Sequence, residues 1–288
     1  MSGPMKAMPG MTFGADPELF LFDHNIQKFI SPDGLIPGTK EEPFKVSNGA
    51  VQQDGMAAEF NIDPAESLAE FRNNIEMVLV SLKSMLPKGV ELVSRPAVVF
   101  DEDVWEKATD KAKELGCSPD YNAWTGSVNP PPNPKKASSP RLRTASGHLH
   151  IGWTSDMDSS CIEHVGHCTD LVKQLDWYLG PWSISVDSDP TRRELYGKAG
   201  AMRIKSYGVE YRVLSNFWVM NPTAMRTMWD RMQSAIWSMR QGPKAEQVSP
   251  DENAFLIKMI SDSKLDNTFA IMHSNPIIKF FSKPSMMA

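Results

Sequence analysis

Three short segments of this chain set two polar, chemically versatile side chains two residues apart inside otherwise apolar runs: Asp16-Pro-Glu18, His148-Leu-His150 and Glu210-Tyr-Arg212. Residues two apart in a β-strand project from the same face. Each pair therefore turns its chemistry to one side of a sheet, with Leu149 and Ile151 on the opposite face of theirs. A single pair of this kind also fits the solvated side of a surface strand. Three in one chain predict strands that line a polar cavity.

The rest of the chain supplies the scaffold. Thr12 to Phe22 reads as one strand, with the stretch from Ile26 to Ile30 returning as a hairpin. Leu68, Phe71, Ile75, Val78, Leu79, Leu82, Met85 and Leu86 form one stripe of an amphipathic helix. Asp63, Pro64 and Glu66 suit its start, and Pro87 and Gly89 its end. A strand is expected from Val90 to Phe100, then a helix from Asp103 to Leu115 closed by Gly116. Five prolines between Asn129 and Pro140 predict an extended surface loop able to serve as a lid. Beyond it come a strand at 147–153, a helix near 159–179, a strand around 209–214 and a helix opened by Pro222. That last helix should bury Met225, Met228, Trp229, Met232, Ile236 and Trp237. The order of elements lacks regular β-α alternation, which predicts an α+β protein with an antiparallel sheet. No linker or repeat divides the sequence. It is read as one catalytic domain over residues 12–280, with a disordered start (1–11) and a flexible end (281–288).

Composition excludes several classes. A net charge of -5 and an isoelectric point near 5.7 argue against a domain that grips a phosphate backbone. Cys117, Cys161 and Cys168 form no CxxC pair and fit a reducing compartment. The N-terminus has no signal-peptide pattern and no run suits a bilayer span, so a cytoplasmic protein is expected.

Two further segments carry chemistry. Glu59 stands among small and apolar neighbours in Asp54-Gly-Met-Ala-Ala-Glu-Phe. A carboxylate there needs a cation, either a metal or a core arginine. Between Asp187 and Arg203, Arg192, Arg193, Lys198 and Arg203 offer phosphate partners, and Gly197 and Gly200 would allow close backbone approach. Read alone that segment is a basic surface turn, because neither a GxxxxGK[ST] loop nor a GxGxxG fingerprint occurs. Beside an acidic metal site it favours a nucleoside triphosphate. Carboxylates with imidazole and no thiolate suit magnesium or manganese better than zinc, and HExxH is absent.

Taken together, Gly14-Ala-Asp-Pro-Glu-Leu-Phe, Asp54-Gly-Met-Ala-Ala-Glu-Phe-Asn, Ser146-Gly-His-Leu-His-Ile-Gly, Arg192-Arg-Glu-Leu-Tyr-Gly-Lys-Ala-Gly and Gly208-Val-Glu-Tyr-Arg resemble the glutamine synthetase superfamily. Within it they resemble the phage-encoded carboxylate-amine ligases, or amidoligases, related to glutamate-cysteine ligase. The resemblance implies a glutamine synthetase-like fold, a curved antiparallel sheet with flanking helices, and an ATP-dependent, ADP-forming ligase working through an acyl phosphate. It implies Asp16, Glu18, Glu59, Glu210 and one or both of His148 and His150 as ligands for magnesium or manganese, His148 being favoured because the family's ligand opens this motif. Asp54 is the candidate where relatives carry another glutamate. Arg192, Arg193, Arg203 and Arg212 would face the transferred phosphoryl group, and Tyr196, Gly197, Lys198 and Arg203 the nucleotide. Carboxylate and amine substrates, small or peptidic, are the implied partners; homo-oligomerisation stays open, as does whether the compartment is a phage host's cytoplasm. The competing readings are a metal-dependent phosphoesterase or nuclease, for which the same groups would hold two ions, and a non-catalytic binding protein on a ligase-like fold.

Overall fold

The structure is a computed structural model that describes residues 10–114, 120–131 and 138–273. The expectations for residues 1–9 and 281–288, for Gly116 and Cys117, and for the centre of the proline-rich loop lie outside the described residues.

The predicted first strand is two strands. β1 (Thr12–Ala15) and β2 (Glu18–Asp23) are separated at Asp16-Pro17. Proline has no N–H to give a ladder and biases the residue before it, and here the chain changes sheets at that point. β2 returns in β3 (Lys28–Ile30) as the expected hairpin. β4 (Phe44–Val46), β5 (Gly49–Asp54) and β6 (Ala57–Ile62) extend that sheet. The β5–β6 turn has Gly55 at φ 56°, where a side chain would be strained, so the Asp54-Gly55 pair is a hairpin signal in its own right.

α1 (Leu68–Met85) is the predicted amphipathic helix, but its cap differs. Ser67 accepts from Glu70 N at 3.2 Å, whereas Asp63 spends its backbone N–H on Asn48 O at 2.9 Å. The stretch expected as one strand from Val90 to Phe100 divides into β7 (Val90–Val93), beside β2, and β8 (Ala97–Val99). The next predicted helix is likewise two, α2 (Glu102–Lys107) and α3 (Asp110–Lys113), because Thr109 caps the second through Ala112 N.

The strands β9 (Tyr121–Asn122) and β10 (Ser127–Val128) precede β11 (Leu142–Thr144), which pairs with β8. β12 (Leu149–Gly152) leads to α4 (Ile162–Val186). α4 passes through Pro181 instead of ending at Leu179: Ser183 and Ile184 continue its buried face, and that packing outweighs a proline cost of about 3 kcal/mol. After α5 (Thr191–Leu195) come β13 (Ala201–Lys205), which sequence reading missed, and β14 (Gly208–Tyr211). α6 (Pro222–Ser238) buries Met225, Met228, Trp229, Met232 and Ile236, while Trp237 is 42% exposed and does not belong to that face. α7 (Lys244–Gln247), α8 (Pro250–Ser261) and α9 (Asn267–His273) close the described chain.

Among the described residues one sheet runs β1-β12-β14-β13-β9-β10 and the other β3-β2-β6-β5-β4, with β7 also on β2. All these pairings are antiparallel. The class is α+β, with a curled antiparallel half-barrel sheet. Phe13 of β1 meets Trp229 of α6 edge-on at 4.9 Å, and Phe71 of α1 packs on Trp218 and Trp229. Each such aromatic pair adds about 0.5–1.5 kcal/mol to simple burial. This core holds the two sheets where β1 gives way to β2.

Candidate active site

Cross-strand register builds the site. In the first sheet Glu210 lies opposite both His150 and Arg203. In the second, Glu59 lies opposite both Glu18 and Gln52. Asp16 and Glu18, expected as one same-face pair, instead flank Pro17, and each joins a different group of acids. A cleft enclosing about 780 Å³ and open to solvent is lined by both acids together with Lys40, Asp54, Glu59, Arg143, His148, Tyr196, Arg203 and Arg212.

The first group is saturated with cations. Glu210 is fully buried. Its carboxylate meets Arg203 at 3.2 Å and Lys205 at 3.1 Å, and accepts from Arg212 Nη1 as well. Burial and Asp16 push Glu210 upward, yet Arg212 and the two histidines outweigh them and hold it at about 2. Asp16 Oδ1 lies 3.0 Å from His150 Nε2 and 3.3 Å from His148 Nδ1. Burial opposes ionisation of Asp16, but His150 and then His148 keep its carboxyl well below the usual range.

The two histidines are not equivalent. His150 meets the Tyr207 hydroxyl through Nδ1, and its Nε2 lies at ion-pair distance from Asp16 without a hydrogen bond among the described residues. Burial works against its charge, but Asp16 raises it above the ordinary imidazole value. His148 is driven down to about 4 by burial and by Arg212, so it is neutral. Its Nδ1 faces Asp16 and Glu210 while its buried Nε2 has no partner among the described residues. A neutral imidazole oriented by carboxylates with a free second nitrogen is how metal-ligating histidines are held. Asp16, His150 and Glu210 also offer donor atoms within 4.8 Å of one another. Of the two histidines it is His148 that lines the cleft, and its open Nε2 fits the ligand role better.

The second group is short of positive charge. Glu18, Asp54 and Glu59 present oxygens within 4.8 Å of one another. Lys40 reaches Asp54 at 3.2 Å, Gln52 donates to Glu59 at 2.6 Å, and Ser146 N donates to Glu18 at 2.8 Å. Burial, then Asp54, lifts Glu18 to about 7. Burial, then Asp16, Asp54 and Glu18, lifts Glu59 well above the carboxylate range. Three converging oxygen donors, with Glu18 and Glu59 held back from ionising by burial first and by neighbouring carboxylates second, fit a hard divalent cation, magnesium or manganese.

Residues 146–251 match the family described as phage phiEco32-like COOH.NH2 ligase-type 2. The matched segment is less than half of the chain. It covers His148, His150, Arg203, Glu210 and Arg212 but not the acids of the second sheet. A solved structure described as a novel glutamine synthase homolog aligns with 96% of this chain and 68% of its own at 11% identity, with a TM-score of 0.41. No curated protein matches.

Some expected residues of the matched segment lie elsewhere. Arg192 is 1% exposed and donates to Val213 O at 2.9 Å, Arg212 O at 3.3 Å and Ser146 Oγ at 2.9 Å. Arg193 donates to Ser263 Oγ and Ser183 Oγ at 3.0 and 3.1 Å. Neither lines the cleft. Both arginines instead clamp backbone and helices. Gly197 sits at φ 72°, where an added Cβ would strike Arg192 Nη1 at 1.8 Å; its backbone yields to that clamp and not to a nucleotide. Gly200 likewise yields to Trp124 and Asn122. Lys198 is exposed and outside the cleft, whereas Tyr196 and Arg203 line it.

Sequence reading missed Lys40, Lys205, Arg143 and Asp120, the last 3.4 Å from Arg212 Nε. Lys205 was findable, being two residues beyond Arg203 on a strand. Lys40 sits in a loop with no periodic pattern to announce it.

Proposed function

We propose that the chain is an ATP-dependent carboxylate-amine ligase that uses magnesium or manganese. The observation that carries the reading is the convergence on one cleft of an undercompensated acid trio and two arginines already fixed by carboxylates. The family match supports the ligase class.

Glu18, Asp54 and Glu59, with His148 through Nε2, are the residues that would hold divalent ions. Bound there, such ions supply charge neutralisation to a triphosphate. In the proposed reaction a substrate carboxylate oxygen bonds to the γ-phosphorus as the β–γ bridging bond breaks, and ADP leaves. The amine nitrogen then bonds to the acyl carbon as the carbon–oxygen bond to phosphate breaks, releasing phosphate and a proton. Arg212 and Arg203 meet the charge that spreads over the phosphoryl oxygens. Glu210 and Asp120 fix the Arg212 guanidinium in advance, so no reorganisation is needed during transfer.

Arg212→Lys tests this. It keeps the charge but loses the planar fork, so ADP release coupled to a carboxylate and an amine should fall about a thousandfold. Near-normal turnover overturns the role of Arg212, and phosphodiester cleavage without nucleotide overturns the ligase reading.

A further inference from the structure

Arg212 and Glu18 both sit where a sheet runs out. The ladder between β14 and β12 ends at Tyr211, opposite Leu149, so the carbonyls of Arg212 and Val213 lie beyond its rungs. Glu18 opens β2 directly after Pro17, which has no N–H to offer a ladder. At both places the backbone that carries a cleft residue needs another anchor.

Arg192 reaches both ends. Its Nη1 donates to Val213 O at 2.9 Å, and its Nη2 to Arg212 O at 3.3 Å and to Ser146 Oγ at 2.9 Å. Ser146 in turn grips Glu18 twice: its N–H donates to the carboxylate at 2.8 Å, and its carbonyl accepts from Glu18 N at 2.9 Å. One buried guanidinium outside the cleft lining thus joins the backbone of Arg212 to the residue that holds Glu18. A planar fork can serve these three acceptors at once, which an ammonium on a flexible stem cannot. Burial, then Arg193, lowers Arg192 to about 10, so it stays charged at neutral pH. That charge also acts on the acid: burial, then Asp54, raises Glu18, and the Ser146 N–H followed by Arg192 opposes them.

We propose that Arg192 is a positioning residue that couples the two walls of the cleft, setting Glu18 for the divalent ion and Arg212 for the phosphoryl group without touching either ligand. The role at Arg212 rests on the ligase reading, whereas the role at Glu18 needs only the metal site.

The test compares the full-length protein with Gly197→Ala, Arg192→Lys and Ser146→Ala. Magnesium affinity is read by calorimetry without nucleotide. Turnover is read as ADP release with ATP, magnesium, a panel of amino acids as the carboxylate and hydroxylamine as the amine. In Gly197→Ala every clamp residue is present, but the added Cβ collides with Arg192 Nη1 and drives the guanidinium aside. Magnesium affinity and kcat should each fall about tenfold or more. Arg192→Lys keeps the charge near Glu18 and loses the fork, so magnesium affinity should stay within about threefold while kcat falls at least about tenfold. Ser146→Ala severs only the branch toward Glu18 and should lower magnesium affinity about tenfold while melting close to wild type. A purely structural arginine would shift the melt and leave the magnesium affinity of the folded protein alone. Wild-type affinity in both folded Gly197→Ala and folded Ser146→Ala therefore overturns the proposal and leaves a ligase. Absence of carboxylate-dependent ADP release in wild type, with magnesium affinity still lost in those two variants, overturns the ligase reading and leaves the clamp on Glu18.

Discussion

The two walls of the cleft hold buried acids in opposite electrical states. Around Glu210 stand Arg203, Lys205, Arg212 and the two histidines, and its carboxyl is held at about 2. Around Glu18, Asp54 and Glu59 the ammonium within ion-pair distance is Lys40, and Glu18 is lifted to about 7. In the first wall Glu210 is already matched by cations and fixes them in place, with His148 Nε2 left open beside it. The second is incomplete without an added cation. Buried charge costs several kcal/mol per ion unless it is matched, so each wall makes a distinct forecast.

Removing the charge from the first wall should have the largest effect. Glu210→Gln leaves three cationic side chains around a buried neutral amide and should cost about 3–5 kcal/mol of stability, the usual penalty for breaking a buried pair. Urea denaturation of the metal-free protein measures it. A loss below about 1 kcal/mol would mean that solvent already screens those cations and that the walls do not differ as described.

The same change in the other wall should act in reverse. Glu59→Gln relieves repulsion in the trio, so the metal-free protein should gain stability by about 1 kcal/mol. Magnesium affinity, read by calorimetry, should fall at least about tenfold. A less stable variant that binds magnesium normally would remove the trio from any metal site.

pH separates the walls without mutation. Glu18 has a raised folded value, so its contribution to stability is whole below about 4.5 and is lost as the pH rises through about 7. Glu210 has a depressed value, so its contribution is present above about 4.5 and is lost as the pH falls toward 2. The melting temperature of metal-free protein should therefore decline between pH 5 and pH 8 and collapse again in acid, and saturating magnesium should flatten only the first decline. An unchanged slope with magnesium would count against the trio.

The sequence showed the acids but not their grouping. His148 with His150 and Glu210 with Arg212 do share a side at two-residue spacing, since local backbone geometry decides that. Asp16 and Glu18 were misplaced because Pro17 moves the chain from one sheet to the other, and which sheet a strand joins depends on distant partners. The opposition of Glu59 to Glu18 is a register fact that no single segment encodes. Arg192 and Arg193 looked like phosphate partners because a cation in a glycine-rich stretch has the same sequence signature whether it meets a ligand or backbone carbonyls and serine hydroxyls. Only burial distinguishes the two. The helices were legible where an apolar stripe dictated them, as in α1 and α6, and misjudged where a cap or a proline decided the boundary.

The smallest forecast concerns Lys40, whose side chain is 48% exposed and whose pairing with Asp54 is screened accordingly. Its ammonium sits beside the trio where a divalent ion would bring two charges, so the two compete for the same oxygens. Lys40→Met should raise magnesium affinity about two- to fivefold at low salt, and the gain should shrink at high ionic strength as screening removes what Lys40 contributes. Calorimetric titrations of wild type and variant at two salt concentrations measure both effects. Weaker binding in the variant would place Lys40 among the groups that help hold the bound ion or its nucleotide, and the second wall would then be less short of positive charge than its distances indicate.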